Sequence, residues 1–281
     1  MNELDASLTE KLKNIESWFS SRIGSIVAFS GGIDSSLVLF LARKYQGPSA
    51  VVGVISNSES LKNKDFLVAQ SFCENYDITL HVIKTNELSD IRYSQNPVNR
   101  CFFCKDHLYN DLQALKIEYP GFDILNGTNV DDLGDYRPGL EAAKQKMVLS
   151  PLADCNFSKT DIRSLALFFK LPNWNKPASP CLSSRIPYHQ EVTYEKLRQI
   201  EAAEDMLNRL GFEDVRVRHY GITAKIEVQS ADIENLLSAE ESIRDEMKFI
   251  GFDNIEIDRE GLISGKLNRV LFSQEVKKDK L

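Results

Sequence analysis

The sequence holds no apolar run near the ~18 residues that a membrane-spanning helix needs. Its start, MNELDASLTEKLKN, is polar and helical in character rather than a signal peptide. The expectation is a cytoplasmic protein with no membrane attachment. Positive charge is short as well: 34 Lys and Arg stand against 41 Asp and Glu, a net charge of −7. That balance, without a basic tail, argues against a broad nucleic-acid surface. Cysteines number five, Cys73, Cys101, Cys104, Cys155 and Cys181, an odd set without the spacing of a disulfide scaffold. Of the four histidines, His81 sits in an apolar strand and His189 and His219 have no partners at ligand spacing. What is present is ordinary for a globular chain: 281 residues, 42% hydrophobic and 27% charged, enough for one large domain or two.

Residues 1–172 alternate strand-like and helix-like segments. SIVAF, SAVVGVIS, TLHVIK and FDILNG read as buried strands, and ESLKNKDFLVAQSFCENY, CKDHLYNDLQALK and SKTDIRSLALFFK carry helical periodicity. Ser158 and Asp161 suit a capping box. This alternation predicts an α/β fold with a mostly parallel, Rossmann-like sheet, whose ligands bind beyond the carboxyl ends of the strands. Residues 173–193 form an irregular linker. The stretch PNWNKPASPCLSSRIPYHQEV holds four prolines together with a cysteine, two serines and an arginine, more than a plain connection requires. Residues 194–281 read as a smaller α/β module. In it RLGFEDVRV and FIGFDNIEI echo each other, with Gly211 and Gly251 suited to helix C-caps and a helix over 231–249 between them.

The stretch AFSGGIDSSL joins a buried strand to a helix, where glycines and the first helical N–H groups can face an anion. No Gly-Lys-Ser/Thr follows the glycines, so it is not a Walker loop. It resembles the PP-loop, SGGxDS, of ATP pyrophosphatases, which hold the β- and γ-phosphates and leave the α-phosphorus open to attack. The resemblance implies that Ser30, Gly31, Gly32 and Ser35 cradle pyrophosphate while Asp34 aids Mg²⁺.

Cys101 and Cys104 lie in NRCFFCKDHLY at the start of a helix, and Cys181 lies in ASPCLSSRIPY. A helix N-terminus with Arg100 and Lys105 nearby favours thiolates. Three readings stay open: a zinc site completed by Cys73, Cys155 or His107; a disulfide-exchange pair; and a three-cysteine iron–sulfur cluster with one open iron. Plain thiols are the alternative to all three, and Cys73, on an amphipathic helix, reads as core.

Taken together, AFSGGIDS, GDYRPG (134–139), NWNKPAS (173–179), CLSSRIPY and the GF-x-x-VRVR segment resemble the LarE family over nearly the whole chain. These are pyridinium-3,5-biscarboxylic acid mononucleotide sulfurtransferases, ATP-dependent enzymes that turn a pyridinium carboxylate into a thiocarboxylate on the way to the nickel-pincer nucleotide cofactor. The resemblance implies an adenylylated substrate, pyrophosphate release, and sulfur from one of two sources. One branch sacrifices a cysteine at the position held here by Pro180. The other holds a [4Fe–4S] cluster on cysteines matching Cys101, Cys104 and Cys181, fed by a sulfide or persulfide donor. This chain matches the second branch, with single use of Cys181 as the alternative.

Further residues follow from the same resemblance. Ser183, Ser184 and Arg185 sit in the segment placed at the substrate, Arg185 gripping a phosphate or carboxylate. By position rather than resemblance, Lys105, next to the cysteine pair, is a candidate to neutralise phosphate or adenylate charge, with a solvated helix lysine as the alternative. On the same ground Asp132, beyond a strand end, is a candidate Mg²⁺ or substrate contact with Asp131 and Asp135 as rivals. Ala28 and Ser56 join the nucleotide contacts, and Glu204 matches an acidic residue near the site. Arg216 and Arg218, two apart on one strand face, bind the substrate phosphate in a trimer-based or hexameric homo-oligomer. The rival functions are a tRNA-thiolating PP-loop enzyme and a nucleotide-binding regulator.

Overall fold

A computed structural model describes residues 4–134, 137–177, 179–263 and 265–269. Two compact units emerge: residues 1–93 with 99–179, and residues 94–98 with 180–281. Among the described residues no helix is long and apolar enough to cross a membrane.

The elements of unit 1 run α1 (Ala6–Ser20), β1 (Ser25–Ala28), α2 (Ile33–Gln46), β2 (Val51–Ser56), α3 (Asn63–Asn75), β3 (Thr79–Ile83), the single turn α4 (Ile91–Ser94), α5 (Arg100–Leu115), β4 (Asp123–Leu125), α6 (Pro138–Gln145), the turn α7 (Pro151–Asp154) and α8 (Lys159–Phe168). The sheet is parallel throughout, in the order β3-β2-β1-β4. Alternation along the strands feeds two cores. Val27 of β1 and Val51 and Ile55 of β2 join Leu37, Leu41, Ile162 and Leu165 on one face. Ile26, Val52 and Val54 join Leu108, Leu112 and Ala142 on the other. The α/β expectation therefore holds, and the capping box at Ser158 and Asp161 forms in full at the start of α8. The third strand departs from its reading. None of β3 is fully buried, and Val82 is 45% exposed; it is one of the two edge strands, paired with β2 on a single side.

Unit 2 holds α9 (Tyr194–Arg209), β5 (Val215–Tyr220), β6 (Thr223–Val228), α10 (Ile233–Ser238), α11 (Glu240–Ile250) and β7 (Asn254–Ile257). Its sheet has the order β5-β6-β7, antiparallel then parallel. The helix expected over 231–249 is broken at Ala239, which ends α10 and N-caps α11. The sequence echo is structural. Gly211 and Gly251 adopt left-handed φ of 99° and 111° after α9 and α11, and the next residues, Phe212 and Phe252, enter the core. One sheet face packs Val215, Val217, Ala224 and Ile226 against the helices, leaving Arg216, Arg218, Lys225 and Glu227 on the other.

Candidate functional site

In unit 1 the phosphate turn stands at the carboxyl end of β1. Phe29 N–H extends the parallel pairing to Val54 O (2.8 Å), and the chain then turns through Gly31 at φ 70° into Gly32, the N-cap of α2. Ser35 laces the turn together: its Oγ accepts from Ser30 N–H (3.2 Å), lies 3.0 Å from Ser30 Oγ and donates to Gly32 O (3.1 Å). Gly32 has no side chain to cap α2, so the first-turn N–H groups remain open to an anion. Two glycines sit where a side chain would crowd the turn, and Gly31 also has the left-handed φ that favours glycine. A Cβ on Gly31 would stand 3.1 Å from Asp65 O, and one on Gly127, in the loop after β4, would stand 2.7 Å from Ser35 N.

Asp34, in the first turn of α2, points to that loop. Asn129 Nδ2 donates to its Oδ1 (3.2 Å), while Asn129 Oδ1 accepts from the N–H groups of Asp131 and Asp132. Burial raises the Asp34 pKa above the ordinary carboxylate range, and the Asp132 carboxylate adds to the shift. Asp132 Oδ1 lies 2.8 Å from Arg137 Nη2 and 3.2 Å from Lys159 Nζ. These are ionic contacts, and no aligned hydrogen bond satisfies this buried oxygen. The two carboxylates, one destabilised as an anion and one held by displaceable cations, suit an oxygen-seeking cation such as Mg²⁺. Asp131 turns instead to the start of α8, accepting from Lys159 N–H (2.6 Å), and Asp135 lies outside the described residues. Ala28 ends β1 in the core, and Ser56 Oγ ends β2 at 2.6 Å from Thr85 Oγ1.

Cys101 and Cys104 occupy the first turn of α5, three residues apart and so on one face, Cys101 exposed and Cys104 half-buried. A Cβ on Gly139 would meet the stem of Lys105 at 3.0 Å. Gly139 lies in the first turn of α6, two residues after the Arg137 that reaches Asp132. A chain of contacts within unit 1 thus links the cysteine turn to the carboxylates. His107 is engaged elsewhere, its Nε2 2.9 Å from Asp90 Oδ2. Cys73 is core, its thiol pushed up to about 12 by burial first and Glu74 second, and Cys155 is raised to about 11.

Unit 2 gathers the remaining candidates. Cys181 is exposed at the N-cap of a short 3-10 turn, Leu182–Arg185. Arg185 is 1% exposed and its fork is fully engaged by protein. Nε and Nη2 donate to Glu204 (2.7 and 3.2 Å), and Nη1 donates to Pro180 O (2.8 Å) and Ser184 Oγ (2.9 Å). Glu204 also accepts from Val217 N–H at the free edge of β5 (3.1 Å). Arg218 donates to Ser184 O (2.7 Å) and to buried Glu227 (2.9 Å), while Ser183 is fully buried. Arg216 differs from both. Half-buried on the same strand face, it makes no hydrogen bond or ion pair with the described residues, and burial followed by Arg185 and Arg218 lowers its pKa. It is the arginine of the three with a guanidinium open to an incoming anion.

Among the described residues no three His, Cys, Asp or Glu side chains gather as a metal site. Cys101 and Cys104 belong to unit 1 and Cys181 to unit 2. Two thiols at i,i+3 on a helix and a third on a turn, all reachable from solvent, suit iron in donor chemistry, but no assembled ligand set is present. The sequence reading did not single out Gly127, Asn129 and Asn173, all of which support the phosphate turn. The run NGTN after a strand signals the first two, and Asn173 opens the NWNKPAS motif, though nothing in that motif shows which group its side chain meets.

The family described as NAD synthase matches residues 1–103. Three curated relatives extend over most of the chain. An uncharacterised protein of Synechocystis is 40% identical, covering 94% of this chain and 99% of its own. The pyridinium-3,5-bisthiocarboxylic acid mononucleotide synthase of Lactiplantibacillus plantarum is 36% identical over 87% of this chain and 89% of its own. An uncharacterised protein of Methanocaldococcus jannaschii is 31% identical over 92% and 95%.

Proposed function

The chain belongs to the family of the L. plantarum synthase, and from that premise we propose an ATP-dependent sulfurtransferase acting on a pyridinium carboxylate mononucleotide. The carrying observation is the uncapped start of α2 with Asp34 and Asp132 beside it. The first-turn N–H groups and Ser30 hold the β- and γ-phosphates, and Asp34 and Asp132 hold the Mg²⁺ that neutralises them. A substrate carboxylate oxygen attacks the α-phosphorus, the bond to the β-phosphate oxygen breaks, and pyrophosphate leaves. A sulfur nucleophile then adds to the activated carbonyl carbon and AMP departs with the bonding pair. The protein's share is orientation and charge neutralisation. Arg216 takes the substrate phosphate, while Arg185 and Arg218 shape the turn that carries Cys181.

Cys101, Cys104 and Cys181 are the residues proposed to hold a [4Fe–4S] cluster, which when bound would supply an iron able to carry sulfide. What supports the grouping is the i,i+3 spacing of Cys101 and Cys104 at the start of α5 and the exposure of Cys101 and Cys181. The test is anaerobic incubation of reconstituted protein with MgATP, the biscarboxylate mononucleotide and sulfide, followed by mass spectrometry of product and protein. Thiocarboxylate in excess of protein, with protein mass unchanged, is expected. One product per chain with loss of hydrogen sulfide from Cys181 would replace the cluster by a sacrificial cysteine. Pyrophosphate release without any thiocarboxylate would overturn the sulfur-transfer assignment. Light scattering on the same sample tests the proposed trimer-based assembly.

A further inference from the structure

Asn173 is buried to 5% exposure in the irregular stretch after α8, and its side chain grips the phosphate turn from behind. Nδ2 donates to Ser36 Oγ at 2.7 Å and to Gly31 O at 3.2 Å, both within unit 1. The stretch that carries it is pinned a second time. Lys176 Nζ (2.8 Å) and Ser179 Oγ (2.7 Å) both reach Asp65 in the first turn of α3, whose backbone lies against Gly31.

A trans peptide is planar, and its C=O and N–H point in opposite directions. Fixing Gly31 O toward Asn173 therefore aims Gly32 N–H the other way, where among the described residues it has a long 3.4 Å contact to exposed Ser30 Oγ. Gly31, at φ 70°, has no side chain to fix this peptide by itself, and a glycine pair left free would sample other orientations. We propose that Asn173 is a positioning residue that sets the Gly31–Gly32 peptide so that its N–H faces the pyrophosphate portion of ATP. Ser35 laces the turn from within, and Asn173 fixes it from outside. Pre-orientation lowers the ordering cost of binding the phosphates, so its loss falls on phosphate affinity rather than on the fold.

The proposal rests on the phosphate-turn reading, and its test separates the two. Full-length wild type and Asn173→Asp, isosteric but without the Nδ2 donor, are titrated calorimetrically with Mg-pyrophosphate and with AMP. Wild type is expected to bind both. Asn173→Asp is expected to weaken pyrophosphate about tenfold or more, the scale of one lost buried hydrogen bond, with AMP affinity held within about twofold. Equal pyrophosphate affinity in the folded variant would overturn the proposal, and so would parallel loss of both ligands, which marks a merely structural role. A wild type that binds neither would overturn the phosphate-turn reading itself. If Asn173→Asp does not fold, Asn173→Ala, which removes the donor without adding charge, is held to the same split.

Discussion

Glu204 and Arg185 were read from sequence as groups facing the substrate, and their geometry predicts a large structural cost when either is removed. Glu204 accepts from Arg185 Nε at 2.7 Å, from Nη2 at 3.2 Å and from Val217 N–H at 3.1 Å. Arg185 is only 1% exposed and Glu204 only 3%. Glu204→Ala therefore strands a guanidinium in the interior and leaves a strand-edge N–H without an acceptor. Breaking a buried pair from one side costs about 3–5 kcal/mol. Against a total stability of about 5–15 kcal/mol, that is about a fifth or more of what holds a domain folded. Urea unfolding followed by circular dichroism measures the loss. Hydrogen exchange across Pro180–Ile186 and β5 locates it, because Arg185 Nη1 also ties down Pro180 O and Ser184 Oγ. Replacing both partners with apolar residues, as in Arg185→Met with Glu204→Leu, should cost less than Glu204→Ala alone, since no charge is then stranded. A Glu204→Ala protein that loses under about 1 kcal/mol, the scale of a solvated pair, yet makes no thiocarboxylate would refute this reasoning.

Asp34→Asn should abolish pyrophosphate release, a loss of about two orders of magnitude or more for a group placing the metal charge. It should also melt at a higher temperature at neutral pH. The raised pKa means that the fold prefers neutral Asp34, so its stability contribution is complete below the unfolded carboxylate value and is lost as pH rises through the folded one. Metal affinity should fall as pH drops through that raised value, and Mn²⁺ titration with paramagnetic resonance follows it; an unshifted acid limb would contradict the assignment. Gly127→Ala should depress ATP turnover at least tenfold while the protein stays folded, because the added carbon presses on Ser35 N at 2.7 Å, where only backbone can yield; unchanged kinetics would show that the turn can shift freely. In apo protein at pH 8, iodoacetamide mapped by peptide mass should modify exposed Cys101 and Cys181 first. Cys73 and Cys155 should resist, their thiols raised to about 12 and about 11. Early alkylation of Cys73 would mean that the α3–β2 core opens.

What the sequence discloses here follows from how far apart the interacting residues lie. The strand–turn–helix of SGGIDSS is legible because its chemistry is local: Ser30, Gly32 and Ser35 bond one another within six residues. The echo around Gly211 and Gly251 is legible for the same reason, since a left-handed C-cap followed by a buried phenylalanine is written in adjacent positions. The exposure of β3 was not legible, because TLHVI carries the same apolar pattern whether or not its neighbours cover it; β4, at the other edge of β3-β2-β1-β4, keeps Ile124 and Leu125 buried. Nor did pattern distinguish Arg216 from Arg218. They share a strand face, yet Glu227 and Ser184 O, brought in from another strand and another turn, engage one and leave the other open. Asn173 is the extreme case. It meets Gly31 and Ser36 across more than 130 residues of chain, so its role is set entirely by tertiary packing. A motif reading of this chain therefore names the groups proposed to meet phosphate. What Asn173 and Asn129 in unit 1 and Glu204 in unit 2 hold in place becomes visible only when the fold closes around them.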